Sequence, residues 1–132
     1  MMKAGRSVDI FDIYEWLPGH GENEVKIYTE GTELVVAVAY DAMSGVCERK
    51  LLFTSVCSFY VQAFPGPSMF KADEGEVTSI LRGVLVEYPE SEAAVAWVNH
   101  FGSPRVAKHY SVAFLAEKIL LTVIAGAVRI EC

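Results

Sequence analysis

Apolar and polar residues alternate with a period of two over much of this chain, the pattern of strands half-buried against a core. It is clearest near the C-terminus, where Tyr110, Val112 and Phe114 alternate with His109, Ser111 and Ala113. Beyond the polar tip Ala116-Glu117-Lys118, Ile119, Leu121, Val123 and Ala125 alternate with Leu120, Thr122 and Ile124. The two runs predict a terminal hairpin whose second strand is buried on both faces. Gly126 marks a bulge or bend before Val128-Arg129-Ile130 resumes the alternation.

The same reading applies upstream. Glu24–Thr29 and Glu33–Tyr40 flank the turn Glu30-Gly31-Thr32. The second of these runs is Val-rich and apolar on both faces, so it reads as a central strand. A turn over Asp41–Gly45 returns the chain into Val46–Phe53, whose polar first half projects beyond the core. A further strand is expected within Thr54–Ala63, stopped by Phe64-Pro65-Gly66-Pro67, because proline cannot donate to a ladder. Val77–Tyr88 reads as a strand with Gly83 as a bulge.

Two segments carry helical signals. Ser7 is a good N-cap for a short helix through Ile10, Ile13, Tyr14 and Leu17, although Ile, Phe, Tyr and Trp also suit a strand. Ser91 caps a second short helix through Ala93, Ala94, Ala96 and Trp97, with Val95 packing inward. His100 ends it, placed to meet its terminal carbonyls. The expected fold is mainly β: an antiparallel β-sandwich, or a partly open barrel, of six to eight strands with one or two short helices. Residues 1–132 read as a single globular domain.

The C-terminal run Arg105–Cys132 invites a membrane reading, which its charges exclude. Glu117-Lys118 leaves Ile119–Val128 as the longest uninterrupted apolar piece, against about 20 residues needed for a spanning helix. Two charges near the bilayer centre would cost roughly 5 kcal/mol. The run belongs to a core.

Composition narrows the function further. Of 132 residues, 52% are hydrophobic and 21% charged, enough to fold without a disulfide or metal. The net charge of −6, with eleven basic residues scattered along the chain, argues against nucleic acid and against an anionic membrane surface. Cys47, Cys57 and Cys132 are odd in number and match no zinc spacing. The opening MMKAGRSVDIFDIY lacks a signal-peptide apolar core. Together these predict free thiols in the cytoplasm.

Candidate chemistry is thin. His20 sits in a Pro-Gly-His-Gly turn, and with His100 and His109 it forms no metal-binding spacing. There is no nucleophile elbow, phosphate loop or dinucleotide fingerprint. Asp73, Glu74 and Glu76 lack the ligand spacing of a calcium loop. The sequence therefore predicts no catalytic residue, no metal and no cofactor. Trp16, Trp97, Tyr14, Tyr88 and Tyr110 are large enough to anchor a partner, although most aromatics of such a domain pack in its core. Phe64–Phe70 is a stiff loop suited to a surface or to packing on the sheet. The candidate binding surface is His109, Tyr110, Trp97 and His100.

Leu85–Trp97 (LVEYPESEAAVAW), Lys108–Phe114 (KHYSVAF) and Leu120–Ile130 (LLTVIAGAVRI) resemble small bacterial β-sandwich domains of uncharacterised or immunity-protein-like type. The resemblance covers roughly the last third of the chain. It implies a protein-interaction module with a protein partner and brings no catalytic motif. The alternative is a sandwich holding a small ligand in an apolar cavity; an enzyme assembled from distant His and carboxylate residues ranks third. Exposed strand edges also predict a homodimer.

Overall fold

Glycine fixes the turns that lay out the first sheet. A computed structural model of the chain describes residues 2–13, 22–67, 70–72, 82–102 and 105–131. Gly31 and Gly45 both have positive φ, a conformation open to glycine at no steric cost. They close the hairpins joining β3 (Glu22–Glu30), β4 (Glu33–Ala42) and β5 (Gly45–Thr54). With β11 (Ala127–Glu131) these form a four-stranded antiparallel sheet in the order β11-β5-β4-β3. The polar first half of β5 is exposed or half-buried, with Cys47 against the core, and full burial begins at Leu51.

The second sheet is also antiparallel, with the order β2-β8-β9-β10-β6. Its strands are β2 (Val8–Asp12), β6 (Ser58–Ala63), β8 (Val84–Tyr88), β9 (Lys108–Phe114) and β10 (Ile119–Ala125). The terminal hairpin is therefore present. β9 and β10 pair from Ile119↔Phe114 to Ala125↔Lys108, and β10 is buried on both faces from Leu121 onward. The first strand, β1 (Lys3–Gly5), pairs in parallel with β7 (Lys71–Ala72) apart from both sheets.

The sheets are joined by a bent ribbon. β5 pairs with β11 in the first sheet, while their continuations β6 and β10 pair in the second. At the crossing, Cys57 N–H donates to Ile124 O (2.7 Å) and Gly126 N–H donates to Thr54 O (2.8 Å). Such strands turn the corner between packed sheets. Gly126 is required by proximity: a Cβ there would lie 3.2 Å from Ser55 Cβ and 3.3 Å from Thr54 O. The strand expected within Thr54–Ala63 thus begins only at Ser58, after a break at residues 55–57, and Ser55 itself adopts positive φ.

Period-two alternation fills the space between the sheets. Leu34, Val36, Val38, Leu51 and Phe53 from the first sheet meet Leu85, Val112, Phe114, Leu121 and Val123 from the second in one buried cluster. The mainly β, two-sheet antiparallel architecture agrees with the expected sandwich, and the sheets do not close into a barrel. Among the described residues they hold nine strands, one more than the upper end of the six to eight expected, because the N-terminal segment forms the strand β2.

Two local expectations need correction. Val8–Asp12 is a strand paired with β8, with a register irregularity between Asp9 and Phe11, not the start of a helix capped by Ser7. The β-branched and aromatic residues of this segment gain a ladder partner in β8 that the sequence could not reveal. Residues 14–17 and the turn at His20 lie outside the described residues, as do Val77–Leu81 and the acidic positions 73, 74 and 76. Val95 also does not pack inward; it is exposed, and Ala93 and Ala94 are the residues of its helix that are buried. The two small side chains are the ones buried beneath the helix, which leaves Val95 on its solvent side.

That helix, α1 (Glu92–Phe101), starts where its cap was expected. Ser91 accepts a hydrogen bond from Ala94 N–H (3.2 Å), and Gly102 closes the other end in the left-handed conformation. Glu90 and Glu92 tie α1 to the N-terminal segment: Arg6 pairs with Glu90 (2.6 Å), and Lys3 N–H donates to the Glu92 carboxylate. No helix among the described residues is long and apolar enough to cross a membrane.

Candidate functional site

β9 sends its residues alternately to the two faces of its sheet, and this separates the candidates. Tyr110 points into the core between the sheets, where its ring lies 5.6 Å from that of Phe53. Burial, with the Glu87 carboxylate beside it, pushes the Tyr110 hydroxyl up to about 12. A tyrosine so placed remains protonated and inaccessible.

His109 occupies the opposite face and is buried to 1% exposure. Its Nδ1 lies 2.7 Å from Ser91 Oγ, the oxygen that caps α1. Tyr88 flanks the ring at 4.8 Å and Phe70 meets it edge-on at 4.6 Å between centroids. Phe70 in turn stacks on Tyr60 at 6.3 Å. Among the described residues His109 Nε2 has no hydrogen-bond partner. Burial disfavours the imidazolium and lowers the pKa of His109 from 6.5 to about 4.

A Ser–His contact of this length invites a catalytic reading, which its surroundings oppose. Ser91 is as buried as His109, its oxygen is engaged by the helix terminus, and no third group among the described residues orients the ring from Nε2. A working nucleophile needs an exposed oxygen and a base oriented by a further partner. The pair instead locks the start of α1 onto β9.

Trp97 and His100 come together on α1. One helical turn apart, their rings lie 5.9 Å apart at 83°. Phe101 completes the cluster at 6.0 Å from Trp97 and 5.5 Å from His100, and the Arg105 guanidinium sits over the Phe101 ring at 4.1 Å, a cation–π distance. An open cleft of about 280 Å³ runs beside Ala96, Trp97 and His100, and no carboxylate is among these lining residues. Val95 and Val106 are exposed nearby in the chain. His100 and His109 therefore belong to different environments, one exposed on the helix and one sealed beneath it.

A second open cleft, of about 390 Å³, lies at the corner of the ribbon, between the β3–β4 turn and the start of β6. Thr32, Val56, Cys57 and Phe59 line it. Burial raises the Cys57 thiol pKa, an effect the nearby Arg105 charge opposes. Cys47 and Cys57 are free thiols, and Cys47 packs against the core as a small apolar side chain. Among the described residues no group of three or more His, Cys, Asp or Glu side chains is placed to hold a metal ion.

Two contributors were not anticipated. The Phe70 ring packs against His109 and Tyr60, although nothing in the sequence linked them. Phe101 and Arg105 extend the aromatic cluster; Arg105 lies beyond the glycine stop, outside any helical periodicity. No protein-family model, curated protein or solved structure matches the chain.

Proposed function

We propose that this chain is a protein-interaction module that docks a partner protein through the exposed face of α1. The carrying observation is the cluster of Trp97, His100 and Phe101, with Arg105 over it, on a helix that also exposes Val95. Aromatic and arginine side chains supply most of the anchoring energy at protein interfaces, and this group opens onto a cleft instead of the core. The net charge of −6 favours a basic partner through long-range steering. An immunity-like role, the neutralisation of such a partner in the cytoplasm, fits this chemistry. The free thiols at Cys47 and Cys57 are compatible with that setting. Self-association into a homodimer is part of the same proposal, because the sheets end in open edges.

The test compares affinity capture by the wild type with capture by Trp97→Ser and Val95→Asp variants, each checked for an unchanged thermal melt. A partner retained by the wild type, lost from both variants and weakened by added salt supports the reading. Capture of the same proteins by all three overturns it.

A further inference from the structure

We propose that β6 is the dimer interface: two copies pair their β6 strands antiparallel about a two-fold axis at Tyr60, joining the five-stranded sheets into one of ten strands. Four strands end the two sheets: β2, β6, β3 and β11. Three of them carry charges that discourage edge pairing: Asp9 and Asp12 on β2, Glu22, Glu24, Lys26 and Glu30 on β3, Arg129 and Glu131 on β11. β6, with the sequence SFYVQA, has none. Among the described residues no strand lies on its outer side.

The side chains of β6 point to what covers it. Phe59 and Val61 pair with Val123 and Leu121 of β10 and so share the core-facing side of the sheet. Both nevertheless remain 40% and 44% exposed. Val123 and Leu121, one strand further in, are fully buried. The apolar core thus runs out to an edge that the opposing sheet does not cover.

A second copy continues that core in register. Antiparallel partners about a perpendicular two-fold keep their faces, so the residue numbers of each pair must sum to an even value. Centring the axis on Tyr60 sets Phe59 against Val61 of the second copy, Tyr60 against Tyr60 and Ser58 against Gln62. Apolar meets apolar, polar meets polar, and no like charges face each other, which is the self-complementarity a two-fold interface demands. Pro65 and Pro67 then end the ladder, since neither can donate.

This inference rests on the self-association proposed above, and the two fail separately. Sedimentation velocity and light scattering would be run on the wild type and on Val61→Lys, Phe59→Lys and Val8→Lys variants, with circular dichroism confirming the fold. The expected wild-type mass is twice that of the 14.5 kDa chain. Val61→Lys and Phe59→Lys should weaken the dimer at least tenfold, and Val8→Lys, on the β2 edge, should leave it intact. Mixing Val61→Glu with Phe59→Lys should restore a heterodimer, because the register places the two new charges opposite each other.

Should the lysine variants fail to fold, Tyr60→Cys provides the register test. Directly opposed strand residues have Cα atoms about 4.5–5.5 Å apart, within disulfide reach. Mild oxidation should cross-link Tyr60→Cys into a covalent dimer faster than either Ser58→Cys or the wild type. A wild-type monomer at high concentration overturns both self-association and the β6 interface. A dimer indifferent to substitution at Phe59 and Val61, or with no preference for the Tyr60 cross-link, overturns the β6 interface alone.

Discussion

Acidification should destabilise this fold through His109. The imidazole is neutral in the folded chain, with a pKa near 4 against 6.5 when unfolded. The folded state therefore binds the proton less tightly. Stability is complete above pH 6.5 and is lost as pH falls through 6.5 toward 4. The full shift of about 2.5 pH units corresponds to about 3 kcal/mol at 1.36 kcal/mol per unit. Between pH 7.5 and pH 5 the linkage relation makes the loss about 2 kcal/mol. Among the described residues, Ser91, Tyr88 and Phe70 pack around the ring. Urea unfolding at the two pH values, on the wild type and on His109→Leu, isolates the contribution as a difference of differences. The wild type should lose about 2 kcal/mol more than the variant. Equal pH dependence in the two proteins would refute the assignment of a buried, neutral His109.

Other positions give sharp expectations by chemical denaturation. Ser91→Ala removes the α1 cap and its hydrogen bond to the His109 ring, and should cost about 2–4 kcal/mol, more than an isolated cap. Gly126→Ala forces a Cβ to within 3.3 Å of Ser55 Cβ and Thr54 O at the ribbon corner, and should destabilise by about 1–3 kcal/mol. Leu121→Ala, at the centre of the core shared by the two sheets, should cost about 2–5 kcal/mol. Trp97→Ser, by contrast, should change stability by less than these core substitutions while abolishing partner capture.

The strands were legible where burial is one-sided or complete, because a period of two directly records which face is apolar. β4, β9 and β10 were each readable this way, as was the bend at Gly126. The opposite placement of His109 and Tyr110 followed from the same alternation. What the sequence hid depended on partners distant along the chain. β2 becomes a strand by pairing with β8, more than seventy residues later, and its local composition suits helix or strand. The inward side of α1 departs from expectation because Ala93 and Ala94, rather than the larger Val95, are its buried residues. Ser91 and His109 were each singled out, but only the folded β8–α1–β9 arrangement brings their side chains together. Trp97 and His100 were candidates together with His109 and Tyr110; folding keeps the first pair at the surface and buries the second.

The proposed association through β6 is tested most directly by residue-resolved amide exchange of the wild type across a concentration series. The account predicts protection that rises with concentration at β6, between Ser58 and Ala63, with β2, β3 and β11 unchanged. Exchange independent of concentration at every edge, or protection that grows at a charged edge instead of β6, would contradict it.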